Sequence, residues 1–117
     1  MLAKAAAVVD RGFDKDLYDL AFVLLHNREG GPVQAAEAAF AALPEPAFFD
    51  HSGDLCGALG LLSDPDSRGP RLYAEQRVRD GEVTQVDVLV QDAVGAALEC
   101  LAAFTRLTSV GGIGRGA

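Results

Sequence analysis

Polar residues occupy only one narrow stripe of the most apolar segment in the N-terminal half of the chain, residues 14–26. Placed on a helix at about 100° per residue, Asp16, Asp19 and His26 share that stripe with Val23. The other faces are covered by apolar side chains, namely Leu17, Tyr18, Leu20, Ala21, Phe22, Leu24 and Leu25. A helix that is apolar nearly all round is buried. The pattern therefore predicts a central helix whose two aspartates face a partner, trapped water or a cleft.

The same periodicity predicts five further helices, separated by loops rich in glycine and proline. They are expected over residues 2–11, 33–43, 52–62 (capped by Asp50 or Ser52), 70–77 and 83–107. In the last and longest, apolar residues recur at helical spacing, which predicts a helix about 36 Å long; they are Val86, Val90, Ala93, Ala97, Leu101 and Phe104. The run 86–90 is also compatible with a strand.

Composition favours helices packed on helices. Half of the 117 residues are hydrophobic, with alanine and leucine prevailing, and a chain of this length can bury roughly two thirds of its unfolded surface. We expect an all-α fold, a compact bundle of about five to six helices with a long C-terminal helix. Residues 1–108 form the helical domain in this interpretation, and the glycine-rich residues 109–117 form a disordered tail.

The net charge of −7 argues against generic binding to nucleic acid or to anionic membranes. Any RNA contact is expected to be local, at a basic cluster, although a solvated surface balanced by Glu75 and Asp80 is the favoured interpretation of that cluster. The cluster comprises Arg68, Arg71, Arg77 and Arg79. The apolar run at residues 1–9 is too short for a signal peptide or membrane span, so we expect a cytoplasmic protein with no membrane contact.

The two cysteines, Cys56 and Cys100, lack a CxxC spacing and lie in apolar helical surroundings. Free thiols are therefore favoured over a disulfide. His26 and His51 have no second histidine or cysteine at ligand spacing, which argues against a zinc site. The chain contains no GxSxG, GxxxxGK[ST] or GxGxxG motif.

Asp16 and Asp19, at i and i+3, are the first candidates for chemistry. They could share a magnesium ion with a nucleotide phosphate, since that ion usually takes one or two carboxylates and fills its other positions with water and phosphate oxygens. Alternatively, Asp16 caps its helix and Asp19 pairs with Lys4 or Arg11 of the preceding helix. Spacing alone favours this second interpretation.

A resemblance to a known family changes that balance. Lys4, Arg11 and the segment 15–21 (KDLYDLA) resemble the conserved helical segment of the AbiEii-type nucleotidyltransferase toxins, in which a lysine, a spacer and an arginine precede [KR]D-x-YD-[LI]. The similarity continues through residues 24–27 and 30–32. The stretch 64–74 (DPDSRGPRLYA) is similar to the family's D-x-x-GP-x-x-YA pattern.

The resemblance implies a member of the polymerase-β-like nucleotidyltransferase superfamily, with toxins that transfer a nucleotide from NTP to RNA or protein, often in phage defence. It places Lys4, Asp16 and Asp19 among the active-site residues and implies Mg²⁺ and NTP as cofactors of the full-length family. It also implies a cognate antitoxin as a partner.

The chain departs from the family pattern in one large respect. The family's glycine-serine loop and D-x-D pair precede the segment that residues 2–107 resemble, and Asp64-x-Asp66 lies in a loop without an upstream glycine-serine turn. Phosphoryl transfer depends on positioning and on metal electrostatics. We therefore expect a truncated, catalytically silent helical portion that binds no cofactor alone and lacks an N-terminal nucleotidyltransferase core. The alternative is a non-enzymatic interaction module that self-associates as a homo-oligomer or pairs with a partner chain.

Overall fold

The computed structural model describes residues 2–10, 14–27, 30–42 and 48–116, and it describes side-chain surroundings within these ranges except at residues 2, 3, 48–51 and 110–116. Every regular element in this part is an α-helix. The helices are α1 (Leu2–Asp10), α2 (Asp14–His26), α3 (Pro32–Ala42), α4 (Phe48–Ser63), α5 (Arg68–Arg79) and α6 (Val86–Gly116). The predicted all-α bundle with a long C-terminal helix is confirmed.

The long helix α6 organises the core, because it packs against α2, α3, α4 and α5. The largest side chains buried at this junction are essentially inaccessible to water; they are Leu20, Leu24, Leu55, Leu59, Leu62, Cys100 and Phe104. Helix α1 packs on α4 and α2 at the other side of the bundle. The result is a core dominated by leucine and alanine, as the composition predicted.

The strand alternative for residues 86–90 is wrong, because this run forms the first turns of α6. The helix begins three residues later than predicted. Glu82 explains the delay, since its carboxylate accepts hydrogen bonds from both the backbone N–H and the hydroxyl of Thr84, at 3.1 and 2.9 Å. This local turn holds Thr84 outside the helix.

Helix α5 is longer than predicted at both ends. Its N-cap residue is Ser67, and Pro70 falls within the first turn, where its missing N–H is not needed. The hydroxyl of Ser67 shares its single proton between the carbonyl oxygens of Leu61 and Asp64, and its oxygen does not cap α5. The α4–α5 connection is therefore tied to the end of α4.

The connection from α2 to α3 is fixed by Asn27. Its side-chain amide donates to the carbonyl oxygens of Leu24 and Gly31 at 3.1 and 3.3 Å, and its carbonyl oxygen accepts the N–H of Gly30 at 3.1 Å. Gly30 has φ +130°, a backbone conformation that favours glycine. This turn sets the direction in which α3 leaves the central helix.

The predicted ends of the first helix, at residue 11, and of the third, at residue 43, lie outside the described residues. The backbone of α6 is helical to Gly116, but side chains beyond residue 109 are not described, so the disordered tail at 109–117 stays a prediction. Both cysteines are free thiols.

One described segment, Val86–Ser109, is long and apolar enough to cross a membrane, with a mean hydropathy of 1.5. Half of its most apolar window is buried inside the bundle, and core helices of globular proteins share this character. The expected cytoplasmic location and the expected lack of membrane contact therefore stay predictions.

Candidate functional site

Lys4 of α1 and Asp19 of α2 meet on the surface of the bundle. The Lys4 Nζ lies 3.1 Å from Asp19 Oδ2, and the two side chains retain 46% and 23% of their accessible surface. The sequence raised this ion pair as the structural interpretation of Asp19. An exposed pair of this kind contributes about 0–1 kcal/mol to stability, so both groups remain accessible to a ligand.

Asp16, the third predicted site residue, lies one turn before Asp19 but in a different environment. It is only 4% exposed, in the first turn of α2 rather than ahead of it. It does not line the cavities that border Asp19. The structure therefore brings Lys4 and Asp19 together at the surface and places Asp16 inside the bundle.

Asp19 borders a surface groove with two lobes, which we call the α2 groove. One lobe, about 340 Å³, is lined by Lys4, Tyr18, Asp19, Phe22 and Val23. The other, about 440 Å³, shares Tyr18 and Asp19 and is also lined by Lys15, Gln76, Arg79 and two further carboxylates, those of Asp14 and Asp80. Each lobe thus combines an aromatic ring with charges of both signs. An aromatic surface beside mixed charges suits a planar ligand with polar groups.

An aromatic cluster lies behind the groove, between α2 and α5. The Tyr18 ring stacks on Tyr73, with centroids 5.9 Å apart, and lies 6.0 Å from Phe22. Phe22 contacts the His26 ring, with centroids 4.6 Å apart, and the guanidinium of Arg77 lies 5.7 Å from the Phe22 centroid. The cluster fixes the position of Tyr18 at the junction of the two lobes.

The sequence pattern gives His26 no role and does not predict its contact with Tyr73. Its Nε2 lies 3.1 Å from the hydroxyl of Tyr73, a residue 47 positions away that is 2% exposed. Burial raises the pKa of Tyr73, so the phenol stays protonated and can donate to a neutral imidazole. Tyr73 belongs to the stretch 64–74 that resembles the family, and this membership is the sequence signal that could have pointed to it.

The charges around His26 favour its neutral form. Burial lowers the pKa of His26, the Arg77 cation lowers it further, and Glu82 partly opposes both. Arg77 and Glu82 form an ion pair with 3.4 Å between Nη2 and Oε2. Hydrogen bonds from Thr84 lower the pKa of Glu82.

We predict that His26 makes the fold less stable in mild acid. Its pKa is lower in the folded chain than in the unfolded chain, so the unfolded state binds more protons as the pH falls below about 6.5. The free energy of unfolding should then decrease between about pH 7.5 and about pH 5.5. Urea titrations should show a smaller decrease for His26→Gln. An equal decrease in the variant would show that another group is responsible.

The Asp64 carboxylate stabilises the turn in the Asp64-x-Asp66 stretch. Its Oδ1 accepts the backbone N–H of Asp66 at 2.9 Å, and both side chains are exposed. Among the residues that the structure describes, no group of three or more His, Cys, Asp or Glu side chains is placed to hold a metal ion. Asp64 is thus explained by local turn geometry.

The four arginines of the predicted basic cluster do not form one surface. Arg77 lies about 180° around α5 from Arg68 and packs against Phe22. Arg68 pairs with Asp14 at 3.3 Å, and Arg79 donates to Gln76 at 2.9 Å. Only Arg68, Arg71 and Arg79 share a side of the helix, which leaves a smaller basic surface than the sequence suggested.

Comparison with known proteins yields no match to a family model, to a curated protein or to a solved structure. The resemblance to AbiEii-type enzymes therefore rests on the motif residues alone, and its functional implications are proposals.

Proposed function

We propose that this chain is the helical C-terminal portion of an AbiEii-like nucleotidyltransferase, catalytically silent by itself, in which the α2 groove forms one wall of a nucleotide site. The observation that carries the proposal is the meeting of Lys4 and Asp19 at the border of that groove. These two motif residues are 15 positions apart on different helices.

The chemistry of the groove supports a nucleotide as its ligand. Lys4 offers an ammonium group that a phosphate can take over from Asp19, because an exposed ion pair is easily exchanged. Phe22 is 37% exposed beside Lys4, and Tyr18 joins the two lobes. In this proposal the cation binds phosphate while an aromatic ring packs against the base.

The described residues do not fit a complete magnesium site. Asp19 lies beside the Lys4 ammonium, Asp16 is buried, and no group of three or more His, Cys, Asp or Glu side chains among the described residues is placed to hold a metal ion. In this proposal, carboxylates from another segment supply the remaining metal ligands.

The proposal can be tested by nucleotide binding. When ATP with Mg²⁺ is added to the isotope-labelled chain, we expect NMR shifts at Lys4, Tyr18 and Asp19, with weak affinity of about millimolar because only one wall is present. Lys4→Ala should abolish these shifts. Arg106→Ala removes a cation from the exposed side of α6 and should leave them intact. An equal loss of the shifts in both variants would show that ATP is attracted by the general charge of the protein and not by Lys4.

Two further results would decide between this proposal and its rivals. If the purified chain transfers label from NTP to RNA, and Asp19→Ala stops the transfer, the silent-portion proposal is wrong. A glycine-serine turn and D-x-D pair encoded upstream of Met1 in the same frame would support the nucleotidyltransferase origin. A stop codon at that place would favour the second candidate function, the interaction module.

A second candidate function, a non-enzymatic interaction module, has its own supporting observation. Several large apolar side chains in the described part of the chain are more than a third exposed, namely Val9, Phe22, Leu61, Val78, Val83, Val88 and Leu98. Light scattering and binding of a hydrophobic dye test this candidate. A clean monomer that binds no dye would count against it.

A further inference from the structure

The outer side of α6 is an exposed stripe, although it belongs to the most apolar long segment of the chain. Exposed residues recur at helical spacing along it, namely Asp87, Val88, Gln91, Leu98, Ala102 and Arg106. Val88 and Leu98 keep 48% and 51% of their surface. We call this stripe the outer face of α6. The bundle leaves half of the most apolar 18-residue stretch of this helix unburied.

The middle of the outer face combines a projecting side chain with a hollow. Leu98 projects into solvent. A Cβ built on Gly95, almost one turn earlier, would have no heavy atom within 4 Å apart from its own stretch of helix. Gly95 also lines a cavity of about 320 Å³ together with Leu25, Pro32 and Gln91, and the side chains of Asp92 and Glu99 form part of its rim. A leucine side chain approaching from outside would find space beside Gly95.

The ends of the outer face carry opposite charges. Asp87 lies eleven residues before Leu98, and Arg106 lies eleven residues after Gly95. None of the ion pairs in the described part of the chain includes either residue. If two antiparallel α6 helices place Leu98 of one copy opposite Gly95 of the other, then Asp87 of one copy lies opposite Arg106 of the other. The face is complementary to itself in shape, and its two ends are complementary in charge.

We propose that the outer face of α6 binds a second copy of this chain in an antiparallel, two-fold symmetric pair. Leu98 of each copy fills the hollow beside Gly95 of the other, and two Asp87–Arg106 ion pairs close the ends, about 29 Å apart at the rise of an α-helix. An anionic membrane does not match this face, because Asp87, Asp92 and Glu99 are exposed on or beside it.

The expected dimer is weak. One helix pair about 29 Å long lies at the small end of specific interfaces. The carboxylates of Asp92 and Glu99, at the edge of the face, come near those of the other copy and oppose association. The inference does not depend on nucleotide binding, and it specifies the surface that the interaction-module candidate leaves open.

Analytical ultracentrifugation of the 117-residue chain tests the proposal. Between about 1 µM and about 1 mM, the average mass of the wild-type chain should rise from monomer towards dimer. Leu98→Glu places a charge in the centre of the face and should keep the chain monomeric. Leu61→Glu on α4 is a matched control, since Leu61 is 47% exposed, and it should associate as the wild type does.

A charge reversal tests the alignment of the two helices. Asp87→Arg and Arg106→Asp should each weaken association at least about tenfold, because each places like charges opposite one another. The double variant should restore wild-type association, since it recreates both ion pairs in reverse. Circular dichroism of each variant checks that the helices are retained.

The outcomes separate this proposal from the broader candidates. A wild-type chain that stays monomeric throughout the concentration range overturns it. If the wild type dimerises but Leu98→Glu has no greater effect than Leu61→Glu, association uses another surface, and the α6 pairing is wrong while the interaction module stands. Failure of the double variant to recover overturns the antiparallel alignment. None of these results bears on the ATP titration of the α2 groove.

Discussion

Replacement of Phe104 by alanine should destabilise the fold by about 3–5 kcal/mol. Phe104 is fully buried and is among the largest side chains in the core. It lies on α6, which contacts four of the other helices, so truncation leaves a cavity that no single helix can close by moving. Since domains of this size are stable by about 5–15 kcal/mol, the loss is a large fraction of the total.

Thermal and urea unfolding, followed by circular dichroism, measure this effect. We expect a fall in Tm of roughly 10–25 °C for Phe104→Ala, scaling from the usual dependence on chain length. Leu61→Ala is the control, because the same kind of truncation at a side chain that is 47% exposed should change stability by about 0.5 kcal/mol or less. Equal losses at the two positions would contradict the central place of α6 in the core.

The two cysteines should differ in alkylation rate by about 100-fold or more. Burial raises the pKa of Cys100 to about 12, with a further contribution from the nearby Cys56, and the side chain is fully inaccessible. Burial also raises the pKa of Cys56, but a hydrogen bond with Ser52 partly offsets this, and the thiol is half-buried. At about pH 8, very little Cys100 thiolate is present, and it must be exposed before it reacts.

Labelling with a thiol reagent in native buffer should therefore show one fast-reacting thiol, Cys56, and one slow-reacting thiol, Cys100. Both should react quickly in denaturant. Cys56→Ser removes the faster group, so only the slow phase should remain in the native protein. Rapid native labelling of this variant would contradict the burial of Cys100. The prediction also gives a simple probe of local opening where α4 and α6 meet.

The sequence was sufficient for elements whose limits depend on local signals. Helix α2 begins at Asp14 and ends at His26 as predicted, because acidic residues precede the apolar run and a polar, glycine-containing turn follows it. The start of α6 was placed too early. Residues 83–85 continue the helical pattern, and nothing in that pattern indicates that Glu82 will hold Thr84 in a turn.

The candidate site was predictable only for residues on the consecutive helices α1 and α2. The contact of Lys4 with Asp19 was anticipated as one of two interpretations, since α1 directly precedes α2. The burial of Asp16 and the contact of His26 with Tyr73 depend on how α2 packs against neighbouring helices. Periodicity places residues on a face of a helix, but it does not say which other helix covers that face.

The position of α6 in the chain has a consequence for synthesis. Helices α2, α3, α4 and α5 emerge from the ribosome before their shared packing partner exists, so Leu55, Leu59 and Leu62 of α4 lack the helix that covers them. At about 5–20 residues per second, the ribosome needs roughly two to six seconds to add the 31 residues of α6. During that interval these leucines have no cover from α6, so we expect the core to close only after α6 has been made.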